Sequence, residues 1–228
     1  MVFDMAGTTV DEDNLVYKTV RRAVQRAGHE VSLEIVLQHA AGKEKLQAIR
    51  DVLAAATHGS ATEEDARSAY LDFVDLLETA YAESTAKPML GAERVFQELQ
   101  SQGVKVVLNT GYSRQVAHGL LEQLGWLDHP MIDLVVTASD VERSRPHPDM
   151  IFFAMEKLVV TNAQAVGKIG DSVADIEEGL NAGCGMAAGI TTGAQTAAQL
   201  RTAMPTHIFD TLEELLEAVI FLPNLTTV

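Results

Sequence analysis

From residue 88 onward, short β-rich runs alternate with helical stretches, and nothing else in the chain constrains the fold as much. The runs are "VKVVLN" at 104–109, "DLVVT" at 133–137, "AVGKIG" at 165–170, "GMAAGI" at 185–190 and "HIF" at 207–209. Strands separated by helices pair in parallel, because a parallel partner is reached only through a crossover long enough to hold a helix. The expected fold is therefore α/β, with a doubly wound, Rossmann-like parallel sheet. Residues 1–4 add a strand stub, so short that a longer natural N-terminus is expected. Residues 12–85 break the alternation and read as helix only. In "LVYKTVRRAVQRAG", Val16, Val20, Ala23, Val24 and Ala27 recur at helical spacing, and Gly28 can cap the C-terminal end. "TEED" at 62–65 is a capping-box start for a helix reaching about Ala82. The expected organisation is a core of residues 1–11 and 86–228, interrupted after its first strand by an all-helical insert at 12–85.

Composition narrows the partners. With 228 residues, 47% of them hydrophobic, the chain can bury one large core and carry an insert. A formal net charge of −15 repels nucleic acid and anionic lipid, and neither is expected to bind. An anionic substrate then needs a metal ion or a few basic side chains. Cys184 is the single cysteine, which excludes an intrachain disulfide framework and reads as a small buried filler. No apolar run approaches the roughly 18 residues of a membrane span. No basic-then-apolar leader opens the sequence, so the expected compartment is the cytoplasm. "NLT" at 224–226 matches a glycosylation acceptor, which carries little weight without a secretory signal. The oligomeric state stays open, a homodimer included.

Ligands of a doubly wound sheet bind outside the carboxyl ends of its strands, so the residues following each strand matter most. After the first strand come Asp4, Ala6, Gly7 and Thr8. Thr8 and the N–H groups of this glycine-containing turn can cradle anionic oxygens; the plainer reading of Asp4 is a turn-forming aspartate. Asp171 and Asp175 of "GDSVAD" stand four apart, which is expected to set both on one face of the first turn of a helix. Alone, they would read as helix caps and dipole partners. With Asp4 across the crevice, the three carboxylates make a hard oxygen site suited to Mg²⁺. Thr110 and Gly111 end a strand ahead of a helix starting at Ser113, and a hydroxyl with helix N-terminal N–H groups binds an anion. Gly7, Thr8, Gly111 and Tyr112 of these two turns are the expected substrate-binding residues. Arg145 precedes Pro146 in a loop, where its guanidinium can neutralise a phosphoryl oxygen and Asp4 together; Arg143 reads as a solvated loop residue.

"FDMAGTTVD", "NTGYSR", "RPHPDM" and "GDSVAD", in this order, resemble the four motifs of the haloacid dehalogenase superfamily. The helical insert resembles its C1-type cap, and the match covers nearly the whole chain. Alanine two positions after the aspartate, the "GTT" that follows, "TGYSR", and Arg145 where most relatives carry lysine are similar to the phosphonatase (phosphonoacetaldehyde hydrolase) branch. The resemblance implies that Asp4 is a nucleophile forming an aspartyl-phosphate. It implies Mg²⁺ held by Asp4, the backbone carbonyl of Ala6 and Asp171, with Asp175 in support. It gives Thr110 and Arg145 the transferring group, and it implies a small, anionic, phosphorus-containing substrate.

Ala6 stands where the phosphatases of this superfamily carry an acid that protonates the leaving alkoxide, a contribution typically worth about 10²–10⁴ in rate. Cleavage of a C–P bond needs an electron sink instead, which phosphonatase makes as a Schiff base between a cap lysine and the substrate aldehyde. "AAGKEKLQAIR" at 40–50 is similar to the segment carrying that lysine and puts Lys45 at its position. Lys43, two residues away on a helix, faces elsewhere. The segment departs from the branch at Ala41, where phosphonatase has methionine, and at Ala48, where it has a histidine implicated in proton transfer. A small-molecule phosphatase or phosphomutase using another acid is the alternative. A dehalogenase would not need the metal carboxylates.

Overall fold

The computed structural model describes residues 1–41, 43, 45–83 and 85–221. Gly42, Glu44 and the "NLT" at 224–226 lie outside the described residues. The chain divides into two compact units, Met1–Asp11 with Ala86–Val228, and Glu12–Thr85.

In the first unit, β1 (Val2–Asp4) and β2 (Val10–Asp11) come before the helical unit, and β3 (Lys87–Pro88) comes after it. Then follow α5 (Ala92–Ser101), β4 (Val107–Thr110), α6 (Arg114–Leu124), β5 (Leu134–Thr137), α7 (Asp149–Lys157) and β6 (Gly167–Gly170). The unit closes with α8 (Val173–Ala182), β7 (Met186–Ile190), α9 (Ala197–Leu200), β8 (His207–Phe209) and α10 (Leu212–Phe221). Six of the strands form one parallel sheet in the order β5-β4-β1-β6-β7-β8. The chain moves outward from β1 through β4 to β5, then returns to its other side at β6. The carboxyl end of β1 therefore lies at the point where the winding reverses, which is where such sheets bind ligands.

All six expected sheet strands are present; β8 matches the run at 207–209, and the other five begin one to three residues later than the β-rich runs suggest. At 104–109, for example, Val104 N–H closes α5 on Leu99 O at 2.9 Å and Val106 N–H bonds the Asp133 carboxylate at 2.8 Å, so ladder pairing begins only at Val107. Successive side chains of β1 point to opposite faces. Val2 joins Val107, Val136, Met150, Ile151 and Ala154 in one core layer. Phe3 meets Phe96 of α5 edge-on at 5.4 Å, and Phe96 meets Trp126 at 5.5 Å, in the other layer. Each of these buried aromatics contributes roughly 1.5–3 kcal/mol over its exposed state. By the same period of two, Asp4 shares Val2's face, the side of α7 and α8. Cys184 sits in that layer, and burial pushes its thiol up to about 12, as suits a filler.

The second unit carries α1 (Leu15–Arg26), α2 (Leu33–Ala40), α3 (Lys45–Ala56) and α4 (Glu63–Glu83). Gly28, at φ +89°, ends α1, and His29 N–H returns to Val24 O at 3.2 Å. The "TEED" start is a reciprocal cap: Asp65 N–H donates to Thr62 Oγ1 at 3.2 Å, and Thr62 N–H to Asp65 Oδ2 at 2.8 Å. Among the described residues, no helix is long and apolar enough to cross a membrane.

Candidate active site

Asp4 ends β1 beside Asn109 of β4. The chain then turns tightly on one acceptor: Met5 O takes the N–H groups of Thr8, Thr9 and Val10 at 3.2, 2.9 and 2.8 Å. Gly7 makes this turn possible at φ +83°, and a Cβ there would lie 2.5 Å from Asp171 Oδ2. Glycine is thus required both for the backbone conformation and for the space beside a carboxylate. Ala6 is half-buried and bridges to Val10. Thr8 is fully buried, and its Oγ1 is the one buried side-chain polar atom, among the described residues, with no hydrogen-bond partner. Such a hydroxyl costs about 1–3 kcal/mol unless something else satisfies it.

The sequence pattern sets Asp171 on the first turn of a helix, and the structure corrects this. Asp171 and Ser172 form the turn after β6, with Ser172 extended at φ −133°, and α8 begins only at Val173. Only Asp175 is on the first helical turn. The two carboxylates still converge, because Gly170 leaves room for Asp175: a Cβ there would lie 2.1 Å from Asp175 Cγ. Carboxylate oxygens of Asp4, Asp171 and Asp175 lie within 4.8 Å of one another, and all three residues are buried.

Arg145 joins two of the three. Its Nη2 donates to Asp4 Oδ1 at 2.7 Å and its Nη1 to Asp175 Oδ1. Ser172 Oγ donates to Asp175 Oδ2 at 2.5 Å, and Lys168 Nζ stands 2.9 Å from Asp175 Oδ1. Gly111 lies alongside, since a Cβ there would be 3.9 Å from Arg145 Nη2. Thr110 is buried at the end of β4, where its Oγ1 accepts from Tyr112 N–H at 3.2 Å. Tyr112 is half-buried, and its carbonyl accepts from Ala138 N–H at 3.0 Å. Arg143 points away, pairing with Asp149 at 2.9 Å with 58% of its side chain exposed.

These neighbours give the three acids different proton affinities. Burial raises Asp4 to about 6, with Asp175 adding repulsion and Arg145 opposing. Burial, then the charges of Asp4 and Asp175, push Asp171 well above the carboxylate range. Burial also works against ionised Asp175, but Arg145 and Lys168 outweigh it and hold that carboxyl below its usual value. Arg145 is held well above its ordinary value: burial opposes its charge, and Asp175 and Asp4 overcome that. With Glu178, four buried carboxylates face the Arg145 and Lys168 cations, so with every acid ionised the cluster would fall two positive charges short. Three clustered oxygens, that deficit and Asp171's raised proton affinity suit a divalent cation with hard oxygen ligands.

Some participants escaped the sequence reading. Lys168 on β6 is fully buried and bonds Asn109 Oδ1 at 2.5 Å, Asp175 at 2.9 Å and Glu178 at 3.2 Å. Asn109 Nδ2 in turn donates to both Glu178 oxygens at 3.0 Å. The loop after β7 is the other omission. Ala194 N–H donates to Asp171 Oδ2 at 2.6 Å, Thr192 Oγ1 to Gly7 O at 2.7 Å, and Gly193 lies so close that a Cβ would sit 2.0 Å from Asp171 Oδ2. That loop follows a strand end like the others, which was the available signal.

Lys45 belongs to the helical unit, where it opens α3 and is half-buried. Its Nζ donates to Lys43 O at 3.1 Å and stands 5.8 Å from the centre of the Tyr17 ring. Lys43 pairs with Asp51 at 2.5 Å. Ala41 and Ala48 are both buried.

The model of the haloacid dehalogenase-like hydrolase family matches residues 1–183. The phosphonoacetaldehyde hydrolase of Bacillus cereus is 29% identical over 192 residues, covering 80% of this chain and 72% of its own. A bifunctional phosphonoacetaldehyde hydrolase/aminoethylphosphonate transaminase of Clostridioides difficile is 28% identical over 192 residues, which are 80% of this chain and 30% of that longer protein. Among solved structures, a phosphonoacetaldehyde hydrolase-like protein from Oleispira antarctica superposes with a TM-score of 0.77 at 24% identity, over 96% of this chain and 91% of the other. A predicted phosphoglycolate phosphatase from Haemophilus somnus 129PT superposes with a TM-score of 0.78 at 18% identity, over 96% of each chain. The chain belongs to the haloacid dehalogenase-like hydrolase family, and it is an enzyme of hydrolytic type.

Proposed function

We propose that this haloacid dehalogenase-like hydrolase cleaves the C–P bond of a small phosphonate bearing an aldehyde, such as phosphonoacetaldehyde. The observation that carries the reading is Ala6, which leaves no acid two residues beyond Asp4, while Arg145 is bonded to Asp4 itself at 2.7 Å. Asp4, the Ala6 carbonyl and Asp171 would hold Mg²⁺, with Asp175 behind them. When bound, the ion offsets the repulsion between Asp4 and the phosphonate and polarises the phosphoryl oxygens.

The remaining work falls to side chains. Thr110, Arg145 and the turn with Gly7 and Thr8 bind the phosphoryl oxygens, and Gly111 and Tyr112 flank them; the unpartnered Thr8 hydroxyl supports this assignment. The Lys45 amine condenses with the aldehyde and takes up one proton from solvent, releasing water and leaving a protonated imine. Asp4 attacks phosphorus, the C–P bond breaks, and its electron pair moves to the iminium nitrogen as the carbon leaves as an enamine. The phosphoryl group is then on Asp4. A proton returns to carbon, one water hydrolyses the imine to free Lys45, and a second hydrolyses the aspartyl-phosphate to free Asp4. Lys168 is unsuited to the imine role: burial opposes its charge, but Asp175 and Glu178 hold it cationic.

Phosphate ester hydrolysis is the second reading, and Ala48 favours it. A buried methyl group stands where the phosphonatase branch has its histidine, so proton transfer around an imine would need another group. Borohydride with phosphonoacetaldehyde separates the two. Imine chemistry predicts a reduced two-carbon adduct on Lys45, and a Lys45→Arg variant that traps nothing and releases no phosphate. A Lys45→Arg variant that traps nothing yet releases phosphate from a phosphate ester at the parent's rate would leave the lysine as a binding group and the phosphatase reading in place.

A further inference from the structure

Lys168 is a lysine with no access to solvent on a central strand of a parallel sheet. Such strands are covered on both faces, and an unpaired ammonium there would be prohibitively costly. It is fully engaged instead. Its three hydrogens match three partners: Asn109 Oδ1 at 2.5 Å, Asp175 Oδ1 at 2.9 Å and Glu178 Oε2 at 3.2 Å. Asn109 closes the ring by donating to both Glu178 oxygens at 3.0 Å. Asn109 is also the β4 residue paired with Asp4, so the ring spans the strand on either side of β1.

The ring touches the reacting centre at one atom. Asp175 Oδ1 takes both the Lys168 ammonium and the Arg145 guanidinium, and Arg145 continues to Asp4. We propose that Lys168, Asn109 and Glu178 form a buried positioning unit that fixes Asp175, and through it the Arg145 guanidinium against Asp4. The side chains of the three bond Asp175 and one another rather than the Asp4 carboxylate, so their positioning effect runs through Asp175, while the Lys168 charge also acts on Asp4 across space. The proposal rests on Asp4 being the reacting carboxylate, but not on the choice between C–P and P–O cleavage. Glu178 supplies the counter-charge that lets a lysine stand there without neutralising Asp175 alone. Local consistency of this kind is expected where a polar network is fully satisfied.

The test is a double-mutant cycle on the full chain with Mg²⁺. Lys168→Met with Glu178→Gln removes one cation and one anion together, leaving the net charge of the cluster and its volume nearly unchanged. Expected are a kcat at least tenfold lower, a Mg²⁺ Kd within threefold of the parent by calorimetry, and a cooperative thermal transition. In an Asp175→Asn background the same pair of changes should cost less than twofold more, because its route is already cut. A kcat within twofold of the parent, or full additivity with Asp175→Asn, overturns the proposal. If the double variant does not fold, Asn109→Ala loosens the lysine without changing any charge. A threefold or larger fall in kcat at unchanged Mg²⁺ Kd then supports the positioning role, and an unchanged kcat overturns it. If Asp4→Asn keeps its activity, the chemistry lies elsewhere, and that outcome is separate from any result at Lys168.

Discussion

Arg145 Nη2 lies 2.7 Å from Asp4 Oδ1 while the other end of the same guanidinium is bonded to Asp175, so one planar group ties the end of β1 to the first turn of α8. A lysine offers one compact ammonium in place of two separate, coplanar nitrogens, so it loses the fixed fork that holds both carboxylates in this geometry. Arg145→Lys should therefore retain folding and lose roughly tenfold or more in turnover. Arg145→Met should cost on the order of 3 kcal/mol in stability, as expected when one partner of a buried ion pair is removed. Its turnover should fall about 10²-fold or more. Thermal melts and steady-state kinetics on the two variants check both figures.

Asp4→Asn separates chemistry from folding. The carboxyl is raised to about 6 by burial, so its charge is a liability in the metal-free fold. The amide keeps the shape and removes that charge. Turnover should drop by roughly 10⁴-fold or more, as for loss of a nucleophile, while the metal-free melting temperature stays level or rises. A melting temperature several degrees lower would contradict the electrostatic account of the cluster.

The pH dependence has a definite sign. Asp4 and Asp171 bind protons more tightly folded than unfolded, so they favour the folded state at low pH, and that advantage is lost as pH rises. For Asp4 the loss runs from its ordinary value near 4 up through about 6. Metal-free protein should thus lose thermal stability across this window. Mg²⁺ must displace the protons it competes with, so the stabilisation it confers should grow with pH over the same range. EDTA should abolish turnover and Mg²⁺ restore it. A Mg²⁺ effect on melting that is flat from pH 4 to 7 would exclude these carboxylates as its ligands.

Gly193→Ala tests the loop after β7. The added methyl would stand 2.0 Å from Asp171 Oδ2, on the carboxylate that Ala194 N–H also holds. Displacing it should weaken Mg²⁺ by about 10–100-fold, the usual effect of disturbing a ligand's support. Gly119→Ala has open space around the new methyl and is the control. Equal Mg²⁺ responses in the two variants would remove this loop from the site.

What the sequence made legible follows from which physical signal each feature carried. The six sheet strands and the stretch of helices were readable because β-rich runs and helical periodicity differ over several residues at a time. Asp4, Thr110, Arg145, Asp171 and Asp175 were readable because each follows a strand or stands in a recognisable motif. Asp171 was set on the helix because spacing alone does not reveal where a turn ends. Lys168 was passed over because a lysine in a short strand ordinarily points to water. Its place on a central parallel strand, where apolar residues are the rule, marked it as anomalous only once the strand order was known. Asn109 and Glu178 carried no signal by themselves, since each gains its meaning from Lys168.

The helical unit leaves the core from β2 and returns to it at β3, and these two short strands pair antiparallel, Val10 with Pro88 and Asp11 with Lys87. The exit and the re-entry are thus neighbours, held together by the core's own hydrogen bonds. Closing a loop whose ends are already clamped costs little more as the loop lengthens. The inserted segment is accordingly free to change in length and content at almost no cost to the sheet, as a cartridge is exchanged in a fixed socket.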